Sequence, residues 1–363
     1  MTTVHLPDTN ASKVSAALVE SRRHTGSQTV GVVLTLVIVA EEATHEAALR
    51  SAAQAAREHP SRILVVIPRR GRGGPRLDAE IRVGEFSPGD TVILRMYGPL
   101  AHHAESVVLP LLTPDNPVVV WWPGKAPPCP GQEPLGRLAK RRVTDAAAAS
   151  RPLAALRQRA AGYTPGDTDL SWTRLTPWRA LLAAALDQVV PKVDRACVEG
   201  ARGNPSVEVL AAWLETRLGI DVVRRVSKGP GLTAVELHVP SGLVRLSRPD
   251  GHLAQLDIPG SPGRPVGLRR RETYELLAEE MRRLDPDDIY EATIARFTPA
   301  ETARTTSDRA APKSATKETA AKTAAARTAR AATTKAAATK AAKRAARTAK
   351  AASRASTGPE GSA

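Results

Sequence analysis

The sequence predicts an α/β protein: a mostly parallel α/β sandwich in the N-terminal half, then an α+β domain with an antiparallel meander. Three observations predict it. Residues 30–40, VGVVLTLVIVA, are a continuous apolar run rich in β-branched side chains, as in a strand buried on both faces. An Ala-rich stretch and a second apolar run at 63–67 follow at once, which makes a βαβ unit and implies parallel strands. Between residues 221 and 258, short alternating segments are separated by Gly-Pro-Gly, Pro-Ser-Gly and Pro-Asp-Gly, the punctuation of antiparallel turns.

Taken in order, the strand at 30–40 leads into EEATHEAALRSAAQAAREHPSR, a helix that must end before Pro60. Gly71, Gly73 and Gly74 form a loop after the second strand, and residues 77–86 and 91–97 alternate like strands. Residues 99–112 read as helical despite Pro110, and 117–122 (PVVVWW) as another buried strand. The Pro-rich segment 126–134 is a loop that no helix crosses. Thr176 is an expected N-cap, with Pro177 at the first helical position, and Asn204-Pro205 starts a further helix carrying Val209, Leu210, Trp213, Leu214 and Leu218. Segments 221–227, 233–239, 243–247 and 253–258 make the meander, and a charged amphipathic helix over 268–284 closes the body. The expected domains are 1–150 and 151–297, followed by a tail from 298 to 363.

That tail accounts for most of the basic character. The chain has a formal net charge of +15, and from Thr298 onward 14 Lys and Arg face four acids. Residues 310–357 lack large apolar side chains, so burial cannot offset ordering entropy and the tail is expected to be disordered. The body is ordinary in charge, which excludes reading the whole protein as a basic nucleic-acid binder. Two cysteines, Cys129 and Cys197, are too few and too far apart for a zinc set and suggest a reducing compartment. The longest apolar run falls short of the roughly 20 residues that span a bilayer. A cytoplasmic protein without membrane contact is the expectation.

No catalytic constellation emerges. The first βα turn is Glu-Glu-Ala-Thr, which puts acid where a dinucleotide phosphate would sit. RRGRGG (69–74) lacks a P-loop's GxxxxGK[ST] and leads into strands, so it reads as a solvated basic loop. His102-His103 is a poor chelate because helical neighbours diverge by about 100°. There is no GxSxG elbow and no HExxH, and Asp285-Pro-Asp-Asp288 reads better as a helix cap than as a metal loop. No cofactor or metal is expected.

The tryptophans stand out. Four of the five fall in two short segments, Trp121-Trp122 and Trp172 with Trp178, in a chain with only two Phe and four Tyr. Adjacent strand residues face opposite sides, so Trp121 and Trp122 cannot enter the same core. One of them could instead face the sheet's C-terminal rim, where open α/β sheets bind ligands or partners. Arg174 and Arg179 flank the second pair, and Trp with Arg is the composition of interface hot spots. Trp121, Trp122, Trp172, Arg174, Trp178 and Arg179 are therefore the candidate partner-binding residues, with core packing as the alternative for each indole.

Several long segments, in order, resemble the glucose-6-phosphate dehydrogenase assembly proteins, the OpcA family. They are HPSRILVV (59–66), PDNPVVVWWPG (114–124), DLSWTRLTPWRALLAAALD (169–187), the helical spacing at 209–219, LSRPDG (246–251) and RRRETYELLAEEMRRLDPDDIY (269–290). The resemblance covers most of residues 1–297 and leaves the tail outside. It implies a non-catalytic partner that binds glucose-6-phosphate dehydrogenase, promotes its assembly or activates it allosterically, and supports NADPH supply through the oxidative pentose phosphate pathway. It carries over no residue-level site. Some members are linked to redox control through cysteines, but Cys129 and Cys197 have no close pair in the sequence. Two alternatives come from other classes: weak non-specific DNA or polyanion binding through the tail, and a sugar-phosphate-binding regulator using Arg residues near the sheet rim.

Overall fold

The structure, a computed structural model, describes residues 2–25, 31–83, 89–188 and 192–298. The disorder expected of the tail, and its polyanion contact, lie outside the described residues save for Thr298. The chain opens on two elements absent from the sequence prediction, an edge strand β1 (Thr2–Leu6) and a helix α1 (Ala11–Thr25). The βαβ unit follows as β2 (Leu34–Val39), α2 (His45–Ala55) and β3 (Ser61–Arg69), then β4 (Arg76–Val83) and β5 (Thr91–Tyr97). The stretch expected to be helical at 99–112 is split: Pro99 and Pro110, which lack an N–H, start separate 3-10 turns on either side of α3 (Ala104–Val108). Then come β6 (Val118–Trp122), a single turn α4 (Pro134–Arg137), β7 (Arg141–Thr144), α5 (Pro152–Ala161) and β8 (Asp167–Asp169).

These strands form one eight-stranded sheet in the order β1-β4-β5-β3-β2-β6-β7-β8. The run from β5 to β8 is parallel throughout, and β4 and β1 add an antiparallel edge. Both faces are covered, as a parallel sheet requires. Val37, Leu64, Leu94 and Trp122 pack towards α1, α3 and α4 on one side, while Ile38, Ile63, Ile93 and Trp121 pack towards α2 on the other. The sheet takes its last strand from residues 167–169, beyond the expected break at 150.

The remaining elements are α6 (Leu170–Thr173), α7 (Thr176–Leu186), β9 (Arg195–Gly200), α8 (Pro205–Leu218) and β10 (Val222–Val226). Then follow β11 (Leu232–Val239), β12 (Gly242–Ser247), β13 (Ala254–Asp257), β14 (Arg264–Val266), α9 (Thr273–Arg282) and α10 (Asp288–Ile294). The second sheet runs β10-β9-β11-β12-β13-β14. The antiparallel meander is present from β11 to β14, but β10 does not belong to it. It pairs in parallel with β9, the two joined through α8 as a second βαβ unit, and β9 in turn lies antiparallel to β11. One face of this sheet, with Val198, Val235, Leu237, Val244 and Leu246, packs on α8 and α7, and the other is charged.

One expected helix cap is present, and two helices, α7 and α9, differ from expectation. Asn204 caps α8 as foreseen, its Oδ1 accepting from the Ser206 amide at 2.9 Å. Thr176 does not cap α7: Leu175 holds the cap position, and the Thr176 hydroxyl bonds instead to Glu279 at 2.7 Å. The closing helix, α9, is shorter than 268–284 and packs on the first sheet rather than the second. Leu276, Leu277 and Met281 share a core with Ile38, Leu49 and Ala52. The described residues between 2 and 298 thus form one compact unit.

Candidate functional site

All four candidate indoles are buried, at 1–2% exposure. Trp121 and Trp122 enter opposite faces of the first sheet, as strand geometry demands, and neither reaches a rim. Trp172 donates from Nε1 to Asp287 at 2.8 Å, packs against Tyr290 at 5.6 Å between ring centres, and carries the Arg179 guanidinium 3.4 Å above its ring. Trp178 packs on the second sheet, with the Arg248 guanidinium 5.2 Å from its ring centre. The alternative of core packing therefore describes the four rings. None of these four indoles lies open to a partner.

What remains accessible is arginine. Arg174 and Arg179 are both half-buried. Arg174 makes a bidentate pair with Asp145, at 2.9 and 2.7 Å, and Asp145 also accepts from the Ala147 amide. Arg179 has no carboxylate in salt-bridge contact among the described residues. Burial pushes its guanidinium down to about 10, outweighing the nearby Asp287, Glu279 and Glu280. Stacking on Trp172 supplies the attraction an ion pair would otherwise give.

Arg174 and Trp178 also line a cavity of about 170 Å³. One wall is built by Ala147, in the turn after β7, and Arg174, at the end of α6. The opposite walls are the start of α8 at Asn204 and Ser206, the Pro230-Gly231-Leu232 turn into β11, Arg248 after β12, and the Arg269–Arg271 run before α9. The lining thus includes five arginines and no acidic side chain. Three of the five are neutralised from outside it: Arg174 by Asp145, Arg269 by Glu275, and Arg271 by Glu279 at 2.6 Å. A capping box between Glu272 and Glu275 fixes the backbone that presents the run. The sequence signal was visible as RRRE and SRPDG, but a charge run ahead of a helix ordinarily reads as a solvated face.

Other chemistry-bearing residues fall elsewhere. Cys197, Glu199 and Glu236 meet on the charged face of the second sheet, within metal-ligand reach of one another. Both carboxylates are taken by arginines, Arg225 bridging to each and Arg245 reaching Glu236 at 3.0 Å, so the cluster is already neutralised. Burial pushes the Cys197 thiol up, away from a reactive thiolate. Both cysteines are free. His102 and His103 are exposed, as is the 70–74 loop, and Asp287 caps α10 through the Ile289 and Tyr290 amides. Among the described residues no helix is long and apolar enough to cross a membrane.

Comparison with known families gives two adjoining matches. Residues 52–161 match the N-terminal domain of the OpcA glucose-6-phosphate dehydrogenase subunit, and residues 165–294 match its C-terminal domain. No curated protein and no solved structure matches the chain.

Proposed function

Because the chain belongs to the OpcA family of glucose-6-phosphate dehydrogenase subunits, we propose that it is a non-catalytic assembly factor and allosteric activator of that enzyme. The observation that carries this reading is that both family domains occur in order within one compact unit. The partner would place the protein in the cytoplasm, supporting NADPH supply through the oxidative pentose phosphate pathway. An activator of this kind binds the active form of its enzyme better than the inactive one, and its effect is bounded by that difference. A tenfold shift needs about 1.4 kcal/mol of differential affinity, which one interface arginine can supply.

The partner contact proposed from the sequence now runs through Arg174 and Arg179. Trp172 and Trp178 support them from within the core, and the exposed Arg269 and Arg270 extend the basic surface. Trp121 and Trp122 drop out of the contact because their rings close the first sheet's two cores. The test is size exclusion with light scattering on the full chain mixed with the dehydrogenase. Co-elution is expected, weakened in Arg174→Ala and Arg179→Ala proteins that keep the wild-type circular dichroism. Separate elution at every ratio would overturn the partnership; co-elution unchanged in both variants would overturn the contact.

A further inference from the structure

Four arginines of the described residues are buried: Arg141, Arg142, Arg159 and Arg248. Three have a carboxylate in contact, namely Glu280, Asp167 and Asp169. Arg248 is the exception. At 6% exposure it has no carboxylate in salt-bridge contact among the described residues. Its Nη1 donates to the Leu268 carbonyl and its Nη2, at 3.4 Å, to that of Leu232, while its Nε–H finds no acceptor. Burial, and then the neighbouring Arg270, push its guanidinium below the ordinary range, with Asp250 opposing. A buried cation placed beside another cation is unfavourable unless something of opposite charge joins it.

The place where that charge would sit is the arginine-lined cavity. Arg270, like Arg248, has no carboxylate in salt-bridge contact among the described residues, and its side chain lies along the turn at Gly251. Gly251 has φ +81°, and a Cβ there would meet the Arg270 side chain at 3.2 Å, so glycine lets the arginine lie flat on the turn. The fourteen-residue helix α8 begins at the same cavity, adding the positive end of its dipole. Asn204 spends its Oδ1 on the Ser206 amide, and its Nδ2, close to Gly231, makes no hydrogen bond among the described residues. Two unpaired guanidiniums, an amide donor and a helix N-terminus converge with no acid among them.

We propose that this cavity binds a compact phosphate-bearing anion, held by Arg248 and Arg270 with Asn204 at the start of α8. Phosphate suits the site better than carboxylate: its dianion matches two uncompensated cations, and its tetrahedral oxygens accept from two guanidinium forks at once. The volume of about 170 Å³ lies below the roughly 300–1,000 Å³ of pockets for drug-sized ligands, which limits the ligand to a small ion or a phosphate with a small carrier. Trp178 in the wall gives an optical signal. Arg270 belongs to both this cavity and the proposed partner contact, but binding is measured without the dehydrogenase, so its failure and that of the partnership are told apart.

The test is calorimetry and tryptophan fluorescence on the full chain, with inorganic phosphate, glucose 6-phosphate and glucose as probes. Saturable binding of at least one phosphate compound is expected, weakening with salt, and none of glucose. Tighter binding of glucose 6-phosphate than of phosphate identifies a phosphate ester as the ligand, and equal affinity identifies the free ion. Arg248→Lys keeps a charge but loses the fork, and Arg270→Ala removes an exposed side chain that the fold does not need. Each should weaken binding by about tenfold or more. The proposal is overturned if no phosphate compound binds, if glucose binds equally well, or if folded Arg270→Ala binds like the wild type.

Discussion

Replacing Glu280 by alanine should destabilise the protein severely, because Glu280 fastens α9 to the first sheet. Its side chain is 5% exposed and that of its partner Arg141, on β7, is 3% exposed. Oε2 accepts from Arg141 Nε at 2.9 Å and from Nη2 at 2.5 Å, and Oε1 accepts from the Thr173 hydroxyl at 2.6 Å. Arg141 is tied further to the Asp285 carbonyl at 3.0 Å. Removing the carboxylate would leave a cation in the interior with one carbonyl, and breaking a buried pair in this way costs about 3–5 kcal/mol. Set against a total of roughly 5–15 kcal/mol for a folded domain, that is a large share. Replacing both partners by apolar residues of similar size, Arg141→Met with Glu280→Leu, should recover most of the loss, since the desolvation penalty disappears with the pair. Urea unfolding followed by tryptophan fluorescence measures both. A loss below about 1 kcal/mol for Glu280→Ala, or a double variant no better than the single one, would refute the reasoning.

Four further outcomes are expected. The Arg82 hydrogen bond holds the Glu46 carboxyl below the usual glutamate range, so Glu46 stabilises the fold above about pH 4.5 and loses that contribution as the pH falls further. Melting temperatures of wild type and Glu46→Gln should therefore converge between about pH 5 and pH 3; curves that stay parallel would contradict the sign. Asn204→Ala removes the α8 cap and should cost about 1 kcal/mol, read from the urea midpoint. In the native protein a thiol reagent should modify the half-buried Cys129 first and reach Cys197 only on unfolding, since burial raises the latter's thiol. Arg179→Met should leave the melting temperature near that of the wild type, because the lost stacking on Trp172 and the bond to Thr176 are offset by removal of a half-buried charge that has no carboxylate in salt-bridge contact among the described residues.

The elements that patterning made legible are those whose partners are generic. The β2-α2-β3 unit, β6 and the α8 start needed only apolar runs, an Asn-Pro cap and a breaker. β7 and β8 were invisible because their sequences, RRVT and DTD, look solvated. They are buried only because Arg141 finds Glu280, 139 residues away, while Arg142 finds Asp167 and Arg159 finds Asp169. The same blindness hid β9: without it, β10 was assigned to the meander rather than to a parallel crossover. Tryptophan composition drew attention to rings that the structure buries. The arginines beside those rings, Arg179 over Trp172 and Arg248 by Trp178, have no carboxylate in salt-bridge contact among the described residues. That Arg248, alone among the buried arginines of the described residues, lacks a carboxylate is a tertiary fact no local pattern records.

The most direct test of the proposed role is the rate of glucose-6-phosphate dehydrogenase, measured as NADPH formation at fixed enzyme and rising concentrations of the full chain. A saturable rise in rate, with no turnover by the chain alone, is the predicted result. A rate that stays flat up to concentrations well above those of the enzyme, or turnover by the chain itself, would contradict the account of a non-catalytic activating subunit.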